Sequence, residues 1–155
     1  MNRTATADPT VEDHATIETL FERHADQVWN HAYRLTGTWD QAEDLVVDTF
    51  AKACSSDVRL VGDSALPWLF ATAGTIARSR YRRKEPVADE DLRTRRIAEA
   101  VRALPRSERK IAELCLLGDV TVADAADVLG LTEVGARTRL SRAESRLRTA
   151  LEEDR

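Results

Sequence analysis

Residues 121–148 have the sequence TVADAADVLGLTEVGARTRLSRAESRLR, which combines a short helix, a turn and a longer helix. In the first part, small apolar residues fall on one face of a helical spacing, and Gly130 then allows a tight turn. Thr132 is placed to cap the longer helix. The apolar stripe of that helix contains Ala136, Leu140, Ala143, Leu147 and Leu151. This arrangement predicts a helix-turn-helix.

The longer helix is rich in arginine on the side away from its apolar stripe. Arg139, Arg142 and Arg146 follow one exposed side at i, i+3 and i+7. A helix fits the DNA major groove, and arginine holds phosphates or pairs with guanine. The arginine run alone also fits an ordinary solvated helix face. Together with the glycine turn and the small-residue helix before it, the run favours DNA binding.

The rest of the 155-residue chain has a helical composition and spacing. Hydrophobic residues make up 43%, charged residues 32% and aromatic residues 5%, which predicts an all-α protein of one or two small domains. Gly37 should end a first amphipathic helix, and Asp40 should cap the second, with Glu43 as its capping-box partner. Pro67 should open a third helix after a loop at 54–66. In the second half, a helix around Leu92–Leu104 and another from about Ser107 to Gly118 should precede the helix-turn-helix.

The expected organisation has two helical domains. We expect a loose tail at 1–14, a first domain at 15–84, an acidic linker at 85–91 and a second domain at 92–155. The net charge of −4 argues against a generally basic nucleic-acid coat protein but leaves room for local clusters. The first such cluster contains Arg78, Arg80, Arg82, Arg83 and Lys84. It fits a solvated helix end, or a site where Tyr81 stacks on unpaired bases.

The second helix carries carboxylates on one side. Asp40, Asp44 and Asp48 recur every four residues, and they form either a solvated face or a docking surface for a basic protein. We expect no catalytic site, metal or cofactor, because no histidine lies at metal-ligand spacing and no phosphate-binding glycine loop is present. Cys54 and Cys115 form no zinc or disulfide pattern. The chain has no signal peptide or membrane-spanning run, which predicts a cytoplasmic protein.

Two segments resemble the extracytoplasmic-function (ECF) group of bacterial RNA polymerase sigma factors. FERHADQVWNHAYRLTGTWDQAEDLVVDTFAKA (21–53) is similar to the polymerase-binding region two of that group. ALPRSERKIAEL (103–114) and the following residues 122–148 are similar to region four. Single motifs here are weak, but their joint order over roughly residues 17–150 is highly specific. The resemblance implies a protein that directs core polymerase to promoters and performs no catalysis.

The resemblance also implies roles for named residues. The clamp of the polymerase's largest subunit would be bound by Asp40, Glu43, Asp44, Leu45, Asp48 and Phe50. Melted downstream promoter DNA would be bound by Arg78, Arg80, Tyr81, Arg82, Arg83 and Lys84. The upstream duplex would be read by Thr132, Glu133, Arg137, Arg139, Arg142 and Arg146, while the same domain contacts the polymerase flap. An anti-sigma factor is a further partner that the resemblance allows.

Two residues depart from the family pattern. Thr75 and Ser79 stand where the family commonly has asparagine and aspartate, in the part that faces the promoter. This departure keeps open a sigma-like module that binds polymerase or an inhibitor but does not open promoters. A regulator whose helix-turn-helix binds operators without polymerase is the other alternative, but it leaves Asp40–Phe50 unexplained.

Overall fold

The computed structural model describes residues 9–56, 65–80 and 92–153, with side chains from residue 17 onward. These ranges contain helices and no strand, which confirms the predicted all-α class. In chain order the helices are α1 (Pro9–Thr36), α2 (Trp39–Ser55), α3 (Ala65–Arg80), α4 (Leu92–Arg102), α5 (Arg106–Ala112), α6 (Val122–Leu129) and α7 (Glu133–Glu153). A π-helical segment, Glu113–Leu117, continues α5. We call residues 9–80 the first half and residues 92–153 the second half.

The turn between α1 and α2 confirms one prediction and corrects another. Gly37 ends α1 with a positive φ of 78°, and its N–H donates to the Tyr33 carbonyl at 2.7 Å. The N-cap of α2 is Thr38 and not Asp40, because the extended Thr38 places its hydroxyl 3.2 Å from the donating Gln41 N–H. Asp40 lies in the first helical turn, where a carboxylate favours the helix dipole.

Other boundaries also differ from the expected ones. α1 begins at Pro9, inside the expected tail, since proline suits the first turn of a helix. α3 begins at Ala65 and includes Pro67, because the first N–H groups of a helix have no partner within the helix to lose. Residues 57–64 of the expected loop and all of the expected linker 85–91 lie outside the described residues.

The helix-turn-helix is formed by α6, Gly130 and α7. Gly130 adopts a left-handed conformation with φ of 67°, and the next N–H, from Leu131, donates to the Ala126 carbonyl at 2.8 Å. Thr132 caps α7 by accepting from the Gly135 N–H at 3.0 Å. Both the turn and the cap therefore match the sequence-based prediction. α7 buries Ala136, Ala143 and Leu147.

The two halves share a core. Leu45 and Leu69 of the first half and Ile111 and Leu114 of the second half are fully buried in one continuous apolar cluster. α3 packs against α6 and the π-helical segment, and α1 packs against α4. The functional surfaces of the halves therefore occur on one packed body.

Candidate polymerase and nucleic-acid interfaces

The acidic side of α2 is a surface. Asp40, Glu43 and Asp44 are exposed, and Val47 beside them leaves 67% of its area open to solvent. We call these four residues the α2 face. It joins three carboxylates to an exposed aliphatic side chain, a combination suited to a basic partner with an apolar contact point.

Leu45 and Phe50 do not belong to the α2 face, although the family resemblance places them in the polymerase-binding helix. Leu45 is fully buried, and Phe50 is buried with its ring against Phe21 at a centroid distance of 5.0 Å. Both residues lie on the side of α2 that packs into the core, where the helical stripe requires apolar residues. In the free chain they therefore hold α2 on the core and are not part of its exposed surface.

Sequence reasoning missed two apolar residues on this part of the surface. Val47 is the exposed member of the Val46–Val47 pair, and its position off the buried stripe could have identified it. Trp39 is also exposed, and its ring packs on Trp29 at 4.7 Å. Since Trp29 stacks on Tyr33 at 5.5 Å, three aromatic rings lie together at the start of α2.

The basic end of α3 is engaged in ion pairs. Arg80 Nη1 lies 2.8 Å from Asp48 Oδ2 on α2. A residue predicted to bind downstream DNA is therefore paired with one predicted to bind polymerase. Arg78 Nη1 donates to Glu113 Oε2 of the second half at 2.5 Å. Tyr81, Arg82, Arg83 and Lys84 lie outside the described residues.

The two positions that depart from the family pattern are both exposed on α3. The Thr75 hydroxyl accepts from Arg78 Nη2 at 3.2 Å, and it also donates to the Ala71 carbonyl at 3.1 Å. The Ser79 hydroxyl donates to the Ile76 carbonyl at 3.1 Å. Thr75 therefore helps to hold the Arg78 guanidinium in place, whereas Ser79 bonds to its own helix.

The arginines of α7 occur in three environments. Arg137 pairs with Glu133 at 2.8 Å one turn earlier, and Arg146 pairs with the buried Glu108 of α5 at 2.9 Å. Arg139 is half-buried, and Arg142 is exposed. Within the described ranges neither Arg139 nor Arg142 has an ion pair, so Arg142 is the most available cation of the predicted set.

The N-terminal end of α7 also presents residues that the sequence analysis did not single out. Val134 leaves 76% of its area exposed, and Thr138 is exposed one turn later. These positions precede Arg142 along the outer side of the helix. In a helix-turn-helix the start of the second helix reaches base edges, so this position could have identified both residues. A valine there can contact a thymine methyl group.

A buried histidine lies where the two halves meet. The His31 ring stacks on Phe70 at a centroid distance of 4.2 Å and retains 1% exposure. Its ring nitrogens make no well-formed hydrogen bond in the described part of the chain. Burial lowers the pKa of His31 to about 4, an effect that the nearby Leu117 and Phe70 backbone groups partly offset.

The described residues contain no cluster of three or more histidine, cysteine or acidic side chains that could hold a metal. Cys54 and Cys115 are free thiols. Burial raises the pKa of the Cys115 thiol, which lowers its thiolate fraction and its reactivity. Among the described helices, none is both long and apolar enough to cross a membrane.

Comparison with known families shows which family the chain belongs to. Residues 20–86 match the family model for sigma-70 region 2, and residues 94–147 match the model for sigma-70 region 4. Together the two matches span most of the chain: region 2 covers most of the first half and region 4 covers most of the second half. The chain belongs to the sigma-70 family. Its relatives place it in the ECF group.

Curated relatives of this sigma factor agree over most of their length. The ECF RNA polymerase sigma factor SigL of Mycobacterium tuberculosis (strain H37Rv) is 29% identical over 161 aligned positions, which cover 90% of each chain. The ECF RNA polymerase sigma factor EcfG of Rhodopseudomonas palustris (strain TIE-1) is 29% identical and covers 77% of this chain and 76% of its own.

Two solved structures share the fold of this sigma factor. CnrH in complex with the cytosolic domain of CnrY has a TM-score of 0.70 at 24% identity, and the match covers 94% of this chain and 96% of CnrH. RpoE of Bartonella quintana in complex with the anti-sigma factor NepR has a TM-score of 0.63 at 23% identity, covering 89% and 98%. The two family-model matches and the curated relatives, and not the shared fold, show the function: the sigma factor binds core RNA polymerase and promoter DNA and directs transcription initiation.

Proposed function

We propose that this ECF sigma factor divides its work between its two halves. The first half, which corresponds to the predicted domain 15–84, binds core polymerase and the melted downstream promoter. The second half, which corresponds to the predicted domain 92–155, reads the upstream duplex and contacts the polymerase flap. One observation carries the proposal: a single chain presents both an acidic-apolar helix face and an exposed, cationic helix-turn-helix.

The α2 face is the proposed contact for the clamp of the polymerase's largest subunit. Its carboxylates would pair with basic groups, and Val47 would bury apolar area against the partner helix. Asp48 contributes from the edge of this face, where it already holds Arg80. Leu45 and Phe50 support the contact from below by fixing α2 on the core.

Arg78, Arg80, Tyr81, Arg82, Arg83 and Lys84 are the proposed contacts for melted downstream DNA. Cations hold the backbone of a single strand while an aromatic ring stacks on its bases. Arg78 must first leave its ion pair with Glu113, whereas Arg80 is largely exposed and can exchange its surface pair with Asp48 for a phosphate.

The start of α7 is the proposed reader of the upstream duplex. Thr132 and Glu133 lie at the helix N-terminus, where Thr132 acts as the cap and Glu133 positions Arg137. Arg142 and Arg139 would contact phosphates or guanine, and Val134 would contact a thymine methyl group. Arg146 is held by Glu108, so we assign it to packing of the domain more than to DNA.

An anti-sigma factor is a proposed further partner. CnrH and RpoE were each solved in a complex with a second protein, called an anti-sigma factor in the case of RpoE. In this chain a groove of about 350 Å³ runs between the halves, with Trp68, Ile76 and Val128 in its wall. Lys52 and Lys110 also line it, which fits an acidic amphipathic segment.

We propose no chemical reaction for the chain itself. RNA synthesis belongs to the core enzyme, and the sigma factor supplies position and strand separation. We propose that it acts in the cytoplasm, where core polymerase and the chromosome meet. The two alternatives predict different behaviour: an operator-binding regulator needs no polymerase, and an interaction module binds polymerase without producing transcripts.

Runoff transcription with core polymerase on a promoter library, followed by mapping of start sites, tests the proposal. We expect transcripts whose start sites share one upstream and one downstream element. Polymerase binding without transcripts would favour the interaction module. DNA binding in the absence of any polymerase binding would favour the operator-binding regulator.

A further inference from the structure

Arg78 and the buried Glu113 form an ion pair that joins the two halves. Arg78 belongs to α3, Glu113 begins the π-helical segment, and their atoms Nη1 and Oε2 lie 2.5 Å apart. The side chains keep only 17% and 6% of their exposure. An arginine proposed to hold DNA is therefore turned toward the other half of its own chain.

Two more arginines cross the same boundary. Arg34 of α1 donates to the Leu117 carbonyl at 2.7 Å and lies 3.5 Å from the Asp119 carboxylate. Arg102 of α4 donates in the opposite direction, to the Leu35 carbonyl at 3.2 Å. Each link satisfies a carbonyl at a helix end, so the halves complete each other's hydrogen bonds.

The surfaces also fit closely in shape. Gly74 faces the Glu113 carboxylate so closely that an added Cβ would overlap it. On the other side of the boundary, a Cβ added to Gly118 would lie 2.7 Å from Phe70 Cδ2. One glycine from each half therefore allows a side chain of the other half to approach the backbone.

The charges around Glu113 make the contact sensitive to its carboxylate. Burial raises the pKa of Glu113, although Arg78, Arg102 and Arg109 all act to lower it. Loss of the carboxylate would leave these cations without their central counter-charge. Because removing one member of a buried pair leaves the other uncompensated, the packed arrangement would lose much of its advantage over separated halves.

We propose that the free chain latches its own halves together through Arg78 and Glu113, and that this closed state withholds Arg78 from promoter DNA until polymerase separates the halves. The latch itself is independent of the proposed function, whereas the withholding rests on the proposed role of Arg78 in downstream DNA binding. Engagement of the α2 face by polymerase is the event that would offset the lost contact between the halves.

The test compares full-length Glu113→Gln with the wild type and with Glu108→Gln. Glu108 is a matched control, because it is also buried and also binds an arginine, but Arg146 belongs to the same half. Small-angle X-ray scattering reports the radius of gyration, and fluorescence anisotropy reports the affinity for a short labelled single-stranded DNA. Glu113→Gln should expand the chain, and Glu108→Gln should not.

We expect Glu113→Gln to gain at least about ten-fold in affinity for single-stranded DNA, the gain that corresponds to a wild type in which the closed state is at least about 90% populated. Gly74→Ala is a second variant that keeps the Arg78–Glu113 charges. Alanine favours helix formation, so α3 should be retained while the added methyl displaces the Glu113 carboxylate. Circular dichroism checks that helix content is unchanged.

The outcomes separate the latch from the proposed function. An equal radius of gyration for the wild type, Glu113→Gln and Gly74→Ala would overturn the latch, whatever the chain binds. Expansion of both variants without any gain in DNA affinity would overturn the withholding of Arg78. Expansion and gain in these two variants, with Glu108→Gln unchanged, would support the whole proposal.

Discussion

His31 should make the stability of this sigma factor depend on pH. Its pKa is lowered from 6.5 to about 4 in the folded chain, mainly because burial disfavours the imidazolium. The neutral ring is therefore bound in the fold, while the unfolded chain takes up a proton as pH falls below 6.5. The stability that the neutral His31 ring contributes is therefore complete above pH 6.5 and is lost progressively as the pH falls to about 4.

At about pH 5 the expected loss is about 2 kcal/mol of unfolding free energy relative to neutral pH. Urea denaturation at the two pH values measures it, with His31→Gln as the comparison. The variant removes the titrating ring, so its own loss between the two pH values should be smaller by that amount. Burial also raises the pKa of Glu113, which acts in the opposite direction, but Glu113 is present in both proteins and cancels. Equal losses in both proteins would contradict the assignment.

Arg142 and Arg146 carry the same charge on one helix, but replacing Arg142 should weaken DNA binding, whereas replacing Arg146 should lower stability. Arg142→Ala should weaken duplex binding and lower the slope of log affinity against log salt by about 1, because one phosphate contact is lost. Arg146→Ala should cost about 2 kcal/mol of unfolding free energy, since the buried Glu108 loses its partner. Binding titrations at several salt concentrations and urea denaturation provide the two measurements. The reverse pattern would exchange their roles.

At the scale of single helices, the α2 face should control polymerase binding. Asp40→Lys combined with Asp44→Lys replaces two carboxylates by cations, so a basic clamp surface should be repelled and binding should fall at least ten-fold. Both side chains are exposed, so helix content and thermal stability should hardly change. The measurement is co-purification with core polymerase.

Glu152→Lys combined with Glu153→Lys is the matched control for that experiment. These residues are also exposed and acidic, but they lie at the far end of α7. The control should bind polymerase as the wild type does. A similar loss in both double variants would show that net charge, and not the α2 face, governs binding.

The helices themselves show which predictions a sequence can support. The Gly130 turn and the Thr132 cap were predictable, because each depends on residues within one turn of it. The cap of α2 was predicted wrongly because Thr38 and Asp40 are both capping residue types. Leu45 and Phe50 are buried because they lie on the apolar stripe of α2, whereas their place among the polymerase-binding residues comes from the family resemblance and stays a prediction.

At the scale of the whole molecule, the family and its order of regions were predictable, but the contact between the halves was not. Arg78 and Glu113 are 35 residues apart, and nothing in the local pattern of either indicates the other. A basic cluster at a helix end reads as available for DNA, whereas the fold uses one of its members for packing. Long-range pairing depends on the assembled core, so the state of Arg78 becomes visible only in three dimensions.

The shared core predicts that the halves stay together when the chain between them is cut. A protease site placed within residues 85–91, the predicted linker, allows cleavage of the folded full-length protein. A continuous apolar core joins the halves, and Arg34, Arg78 and Arg102 each bind a residue of the other half. Gly74 and Gly118 also let the halves approach closely. The cleaved wild type should therefore elute from a sizing column as one species. Cleaved Glu113→Gln should separate into two, while cleaved Glu108→Gln should not. Separation of the wild-type halves upon cleavage would mean that the covalent connection, and not the packed boundary, keeps them together.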